Sequence, residues 1–384
     1  MKLIKAGLMY DGITERRDVV IGFEHNQIKY VGDKNPEGDS EGTEIIAEGK
    51  DIVVTPAFID SHSHIGLQRS AEYSGQYEDN EEMDSSTPMA NALHSVYMDD
   101  PMFKESVEHG VLYSAVLPGS GNIIGGKVVM IRNFAKDVEE AFICDIGIKA
   151  ALGYHPRSTT TWKGKRPSTR MGVVALLREN LIKARKTQNL LKAGTKSIDE
   201  VDPFTEVLMD ILDQKHRMMV HFHREDDTRI FLQLVNEFGI KAIANHCLDV
   251  HRLEIFEALR ANSIPIIFGP MDSFSNKDEL RFNSWRNAEL LLKSGAKFSL
   301  MSDHPIVLQR NMFYTVRHLM RFGLSRPHAI SKITSEAAEI LGVPDIGKIK
   351  PGFKASFIVW NGDPFSFSSY PILVIGEGKL VYED

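Results

Sequence analysis

The feature that most constrains the fold is a strict alternation of strand-like and helical segments between residues 217 and 303. Four apolar strand-like runs, from RMMVHFHRED to KFSLMSD, are separated by three amphipathic segments. In the first of these, Ile230, Phe231 and Leu234 recur at helical spacing, and Gly239 stands where a helix would end. This alternation predicts parallel strands connected by helical crossovers, which is an α/β architecture.

The chain before this stretch adds further strands in a less regular order. VTPAFIDSHSH, GVLYSAVLPG, GKVVMIRNF and IGIKAALGYHP are strand-like or extended, and MGVVALLRENLIKARKTQNLLK predicts a long amphipathic helix. With the later strands they make about eight, which is the strand number of a TIM-like (β/α)8 barrel. The chain of 384 residues is long enough for such a barrel and a small accessory domain.

Both ends of the chain contain short strand-like segments separated by turn residues. KLIKAGLMY, RDVVIGF and QIKYVGD stand near the start, and ASFIVWNGD and LVIGEGKLVYED near the end. We expect the two ends to pair into one small β-sandwich domain. The predicted organisation is a sandwich built from residues 1–53 and 347–384, with the barrel formed by residues 54–346.

The composition argues against several classes of protein. It is 42% hydrophobic and 25% charged with a formal charge of −7, which is ordinary for a globular chain and gives no sign of a nucleic-acid partner. The two cysteines, Cys144 and Cys247, predict neither a disulfide framework nor a cysteine-rich metal site. No signal-peptide core or membrane-length apolar run is present. We expect a cytoplasmic protein that acts on a small molecule without a membrane partner, and a homo-oligomer is left open.

Imidazoles and one carboxylate stand at the C-terminal ends of separate strand-like runs: His62, His64, His221, His223, His246 and Asp303. Residues two apart project to the same side of a strand, so each histidine pair points in one direction. The C-terminal ends of parallel barrel strands converge on one mouth. Neutral imidazole and carboxylate are the ligands that zinc-like divalent ions prefer, so the pattern predicts a metal site there.

These segments resemble the amidohydrolase superfamily of metal-dependent hydrolases, and within it the group of imidazolonepropionase and related amidohydrolases. TPAFIDSHSHI resembles the first-strand motif, HFHRED the fifth, IANHC the sixth and LMSDHP the eighth. ITSEAAEILGV, IGKIKPGFKASFIVWNGDPF and GKLVYED resemble the return from the barrel to the sandwich. The resemblance covers almost the whole chain and implies a hydrolase that acts on carbon–nitrogen bonds.

The resemblance also implies a set of metal ligands: His62, His64, His221, His246 and Asp303. His246 would bind a second ion or assist the water, and Asp303 would act both as ligand and as proton shuttle. His223 can face the barrel lumen as His221 does, so the choice between them stays open. Zinc is the expected metal, with iron and manganese as alternatives.

The fourth strand decides the number of ions in this superfamily. Its two-metal members carry a carboxylated lysine or a glutamate there, and in this chain Lys149 and His155 are both candidates. The sequence therefore leaves open whether one or two ions are bound.

The implied chemistry gives Asp303 and His246 catalytic roles. A bound cation can lower the pKa of a coordinated water from about 15.7 to about 7, and Asp303 could take its proton and deliver it to the leaving nitrogen. His223, Arg224 and Arg157 are the candidate substrate-binding residues, because a guanidinium can hold a carboxylate through two hydrogen bonds. Arg170 flanks the same loop as Arg157. The predicted substrate is a small acidic amide, lactam or dipeptide.

Three other interpretations are open. Residues 121–127 fit the spacing of a phosphate loop, but Val128 stands where Ser or Thr would reach magnesium and the following run is strand-like. Hydrolytic deamination of an amidine-like ring would use the same activated water, yet Arg224 occupies the position of the expected glutamate and Glu225 lies one further. A catalytically inactive metal-binding barrel is the third alternative, because fold alone does not imply function.

Overall fold

Two β-sheets and ten α-helices form the described part of the computed structural model, which comprises residues 1–36, 43–73, 76–157, 166–275 and 277–384. The strands are β1 Lys2–Tyr10, β2 Glu15–Glu24, β3 Gln27–Gly32, β4 Glu44–Pro56, β5 Phe58–Ser63, β6 Val111–Val116, β7 Ile124–Arg132, β8 Phe142–Ala151, β9 Met218–Phe222, β10 Ala242–His246, β11 Ile266–Phe268, β12 Phe298–Leu300, β13 Phe357–Trp360, β14 Pro371–Gly376 and β15 Lys379–Glu383. The helices are α1 Pro101–Glu108, α2 Val138–Ala141, α3 Arg170–Lys192, α4 Pro203–Leu212, α5 Glu225–Phe238, α6 Leu253–Ala261, α7 Asn287–Ser294, α8 Met312–Arg321, α9 Arg326–Ser331 and α10 Ser335–Leu341.

The larger sheet is a nearly closed barrel of eight strands. Its strands follow one another in chain order from β5 to β12, and the two outer strands contact each other. Beyond them, Asp303 N donates to His62 O at 3.0 Å, and His64 N donates to His304 O at 3.0 Å. The C-terminal ends of β5 and β12 therefore lie side by side, which confirms the predicted eight-stranded barrel sheet.

Strand β7 departs from the all-parallel order of a (β/α)8 barrel. It is antiparallel to both β6 and β8, whereas the remaining neighbouring pairs are parallel. The connections on either side of β7 span residues 117–123 and 133–141, which are too short for the crossover of a dozen or more residues that parallel strands need. Two of the expected helical crossovers are thus replaced by antiparallel connections.

The two chain ends form the second sheet, in the order β15-β14-β13-β4-β1-β2-β3. β13 pairs antiparallel with β4, with Ile358 opposite Thr55. The joint sheet of both chain ends is therefore confirmed, and it has a buried core of its own that includes Ile4, Ile21, Phe23, Val54, Phe357 and Val359. β4 runs through the predicted domain boundary at residue 53 and leads directly into β5, so that boundary stays a prediction.

Amphipathic helices pack against the barrel strands. In α5, Phe231, Leu234 and Val235 are buried, which is the helical repeat seen in the sequence. The helix ends at Gly239 with a φ of 65°, a left-handed conformation that glycine adopts readily at helix C-termini. Within the described residues, no helix combines the length and apolar composition that crossing a membrane requires.

Candidate metal centre and active site

His62, His64 and Asp303 form the first cluster of candidate ligands at the mouth of the barrel. His62 lies near the end of β5, His64 follows that strand, and Asp303 follows β12. Asp303 Oδ1 lies 3.4 Å from His62 Nε2 and 3.3 Å from His64 Nε2. Atoms that bind zinc tetrahedrally at about 2.0–2.1 Å lie about 3.3 Å from one another. The spacing of this cluster therefore fits ligands that share one ion.

His221, His223 and His246 form a second cluster, with one ring nitrogen from each within 4.8 Å of the others. The rings of His221 and His246 are 4.4 Å apart, and the ring of His246 is 4.8 Å from that of His62. The two clusters therefore adjoin, as the convergence of strand ends in a barrel predicts.

Hydrogen bonds to the backbone orient two of the imidazoles. His64 Nδ1 lies 2.8 Å from Leu117 O, and His246 Nδ1 lies 3.0 Å from Gly269 O. A carbonyl oxygen only accepts, so both rings carry a proton on Nδ1, which leaves Nε2 as the nitrogen that can bind an ion. This arrangement is usual for metal-binding histidines, because the hydrogen bond fixes the ring and its tautomer.

Buried imidazole nitrogens without a protein partner also support a metal site. Both ring nitrogens of His221 and the Nε2 of His246 are buried and lack a hydrogen-bond partner among the described residues, although buried polar atoms are nearly always satisfied. Burial also lowers the pKa of His62, His221 and His246 well below the ordinary histidine value. These rings are therefore neutral at physiological pH, which is the form that binds metal. The residues present fit a divalent ion.

Two members of the site adopt backbone conformations that residues other than glycine seldom use. Asp303 has a φ of 53° and His246 a φ of 73°. Such strained positions cluster at functional sites, where the surrounding structure holds them.

Lys149 lies fully buried on β8 beside both clusters. Its Nζ donates to His62 Nε2 at 3.4 Å, and burial lowers its pKa to about 8. Of the two candidates from the fourth strand of the barrel, Lys149 is the one that contacts His62, a candidate ligand of the first cluster.

His155, the other candidate, lies beside the second cluster, with its ring 4.9 Å from that of His221. Lys277 Nζ lies 2.5 Å from His155 Nε2 and donates to it, because an ammonium group can only donate hydrogen bonds. Glu279 Oε1 lies 3.3 Å from the same nitrogen and 4.0 Å from His223 Nε2. Burial raises the pKa of Glu279 to about 7. His155, His221 and Glu279 could also hold an ion.

The arginines predicted to bind substrate have partners within the protein. Arg224 pairs with Asp226 at 3.0 Å, and the Arg157 guanidinium lies 4.4 Å above the Tyr154 ring. Arg170 pairs with Asp226 and with Asp227. None of the three is among the described residues that line the cavity, so their role in substrate binding stays a prediction.

The cavity at the barrel mouth has a volume of about 460 Å³ and contains both ligand clusters. Asp303, His223 and His246 line it, together with residues that sequence reasoning missed: Asp79, Glu82, Lys277 and Leu280. These residues lie in the loops after β5 and β11, where no strand periodicity marks them. A volume of this size accommodates a small molecule.

Asp60 is a buried carboxylate behind the first cluster. It accepts hydrogen bonds from Ser302 N at 3.0 Å and from Gln309 Nε2 at 2.8 Å, and burial raises its pKa to about 6. Because Ser302 precedes Asp303 and Asp60 precedes His62, the network holds the ends of β5 and β12 together. Asp60 stands two residues before His62, on the same side of the strand, and this spacing is the signal by which the sequence could have indicated Asp60.

The glycine-rich stretch at residues 121–127 leads into β7 and not into a helix. Lys127 pairs with Asp145 on the neighbouring strand at 3.3 Å. A phosphate loop needs a helix N-terminus at this point, so the stretch lacks the geometry for nucleotide binding.

Comparison with known sequences gives a family match over most of the chain. A sequence model described as "Amidohydrolase family" matches residues 53–381. The amidohydrolase tasK of Hapsidospora irregularis is 24% identical over 393 aligned positions, which cover 96% of this chain and 40% of that protein. An imidazolonepropionase of Aliivibrio salmonicida is 23% identical over 405 positions, which cover 94% of this chain and 90% of that protein. The chain thus spans less than half the length of the first of these relatives.

Comparison with solved structures gives the same architecture. An amidohydrolase from Thermotoga maritima MSB8 is similar over 100% of both chains, with a TM-score of 0.91 and 29% identity. An Xaa-Pro dipeptidase with bound methionine and an atrazine chlorohydrolase complexed with zinc have TM-scores of 0.62 and 0.55, each at 14% identity. The last two share the fold with this chain.

Proposed function

The chain belongs to the amidohydrolase family, and from this premise we propose that it hydrolyses a carbon–nitrogen bond of a small amide, lactam or dipeptide-like molecule with the help of a divalent metal. The observation that carries the proposal is the convergence of His62, His64 and Asp303 with the unpartnered nitrogens of His221 and His246.

We propose that two ions are held, one by each cluster. His62, His64 and Asp303 would hold one, and His221 and His246 the other. Lys149 lies beside the first cluster, and in a carboxylated form it would offer oxygen ligands to both ions. When bound, a divalent ion polarises a carbonyl and lowers the pKa of a coordinated water.

Asp303 is the group that would move the proton. Its carboxylate lines the cavity and is 15% exposed, so it can reach both water and substrate. It would accept a proton from the attacking water and deliver it to the nitrogen that leaves, which is a general acid–base step. His223 lines the same cavity, where its ring could contact the substrate.

The surroundings of Glu225 favour amide hydrolysis over deamination. Glu225 accepts from His251 N at 3.1 Å and from Arg252 Nε at 2.5 Å, and it is not among the described residues of the cavity. The carboxylate that a deaminase would need after the fifth barrel strand is therefore engaged elsewhere.

The test combines metal analysis with a substrate screen. The purified protein is stripped with a chelator, reloaded separately with zinc, manganese or iron, and assayed with lactams, N-acyl amino acids and dipeptides. We expect up to two ions per chain, metal-dependent hydrolysis of at least one class, and fewer than two ions in Lys149→Met. A protein that binds no divalent ion at micromolar concentration, or that hydrolyses the panel equally well after chelation, would refute the proposal.

A further inference from the structure

Lys277 reaches over the barrel mouth from the loop after β11. Its ammonium group contacts His155 Nε2 at 2.5 Å, although His155 follows β8, which is three strands away in the sheet order. The Lys277 side chain therefore meets the segment that follows β8, and it lines the cavity together with members of both ligand clusters.

Lys277 differs in charge from the other ionised groups of the cavity wall. Among the described residues that line the cavity, it is the single lysine or arginine, whereas Asp79, Glu82 and Asp303 are carboxylates. An anion that enters the cavity is repelled by those carboxylates and attracted by Lys277. Apart from bound metal ions, Lys277 is thus the cationic group of the described cavity wall to which a negative group of a ligand can bind.

The described protein supplies no carboxylate in contact with Lys277. Its polar contact among the described residues is the imidazole of His155. Burial lowers the pKa of Lys277, although the charges of Glu279 and Asp303 act in the opposite direction. A largely buried cation without a paired anion is unfavourable. A ligand anion would supply the missing partner.

The rest of the wall indicates the other part of the ligand. Leu248, Pro270, Leu280 and Ile306 line the same cavity and offer an apolar surface. Arg170 and Arg224 pair with Asp226 or Asp227, and the Arg157 guanidinium lies over the Tyr154 ring. None of these three arginines is among the described residues that line the cavity.

We propose that Lys277 is the anion-binding residue of the cavity and that the substrate class is an N-acyl amino acid or dipeptide with a free carboxylate and an apolar side chain. This inference rests on the proposed function and adds to it the feature of the substrate that the site recognises.

The test separates binding from turnover. Calorimetric titrations use the Asp303→Asn protein, with its zinc content brought to that of the unmodified protein and measured, and the N-acetyl derivatives of leucine, proline and methionine, each compared with its neutral N-methylamide. We expect at least one carboxylate to bind about 10–100-fold more tightly than its methylamide, the range for a hydrogen bond to a charged group. Adding Lys277→Met should abolish the preference, and adding Lys277→Arg should keep it.

Lys241→Met is the matched control, because Lys241 is exposed and directly precedes β10, at the end of the barrel opposite the mouth. The proposal is overturned if no carboxylate of the panel is preferred, or if the preference survives Lys277→Met. Hydrolysis of the same compounds by the unmodified protein is measured in parallel. A carboxylate preference without hydrolysis would refute the proposed reaction alone, whereas hydrolysis without a preference would refute the role of Lys277 alone.

Discussion

The histidines of the two ligand clusters at the barrel mouth are buried as well as polar. Burial keeps water away from them, and their polar atoms could hold an ion. His221 shows this most clearly, because it is 3% exposed and neither of its ring nitrogens has a hydrogen-bond partner in the part of the chain that the structure describes. A site with such unsatisfied groups is costly for the folded chain unless a ligand completes it. Metal binding should therefore stabilise the protein as well as enable its reaction.

Asp303→Asn should reduce kcat by about 10²–10⁴-fold, because the amide cannot accept and return the proton. The change is isosteric, so the melting temperature of the metal-free variant, measured by circular dichroism, should stay close to that of the unmodified metal-free protein. Asp199→Asn, an exposed residue, is the control for the loss of a carboxylate. Turnover by Asp303→Asn at a rate near that of the control would remove Asp303 from the mechanism.

Glu279 should make the stability of the metal-free protein depend on pH. Its pKa is raised from an ordinary 4.5 to about 7 by burial, so the folded state binds this proton more tightly than the unfolded state. The stabilisation is fully present below about pH 4.5 and is lost as the pH rises through 7. The side chain of Glu279→Gln stays neutral. Between pH 5 and pH 8 the free energy of unfolding of this variant should therefore fall by up to ~3 kcal/mol less than that of the unmodified protein.

The measurement is urea denaturation of the metal-free protein at both pH values. Glu254→Gln on α6, whose side chain is 57% exposed, is the matched control and should follow the unmodified protein. Equal losses of stability in Glu279→Gln and the unmodified protein would show that Glu279 does not hold its proton more tightly when folded.

At the scale of elements, helix ends and strand ends place the functional residues. α5 follows β9 directly, and the short connection between them contains His223. The helix is terminated on its other side by Gly239, whose left-handed backbone lets the chain turn into β10. The helical register of α5 therefore depends on a glycine far from the cavity.

Gly239→Ala should destabilise the protein by about 1 kcal/mol, because a φ of 65° is unfavourable for a residue with a Cβ. The cost comes from the backbone alone, since no atom of the described residues lies within 4 Å of the added methyl group. Gly239→Asn should cost less, since asparagine tolerates this conformation. Gly362→Ala serves as control, because that glycine has no positive φ and its nearest neighbour is at 3.8 Å. The free energy of unfolding in urea checks these values, and equal effects of both alanine substitutions would contradict the explanation.

At the scale of the whole molecule, the sheet of the chain ends and the barrel share a buried contact. Trp360 on β13 packs against Phe58 on β5 and Phe313 on α8, with ring centroids 6.3 Å and 5.5 Å away. Its Nε1 donates to Thr55 Oγ1 at 3.0 Å. The C-terminal part of the chain thus supports the strand that carries His62.

Trp360→Ala should destabilise the protein by about 3–5 kcal/mol, because it leaves a cavity where the two parts meet. Since Phe58 is on the same strand as His62, we also expect weaker metal binding, measured by titration with zinc. Phe367→Ala, at a side chain that is 94% exposed, should change neither quantity. Unaltered stability of Trp360→Ala would show that the contact does not connect the two parts.

Much of this organisation follows from local sequence patterns. Helical periodicity in α5 and the period of two around His62 and His64 report which side of each element is buried, and this depends on neighbours a few residues away. Strand ends in a parallel order meet at one edge whatever their distance along the chain. For that reason, the eight strands and the convergence of these histidines and Asp303 at one mouth could be predicted without coordinates.

The tertiary structure decided the rest. The reversal of β7 depends on the lengths of its connections and on its pairing with β6 and β8, which no periodicity records. Lys277 and Glu279 follow a strand of three residues in a loop without a repeating pattern, and only folding brings them to His155 and His223. Arg157 and Arg224 have the chemistry for an anion, but folding gives them other partners. Sequence thus determined which residues lie at the strand ends, while long-range contacts determined which charges face the cavity.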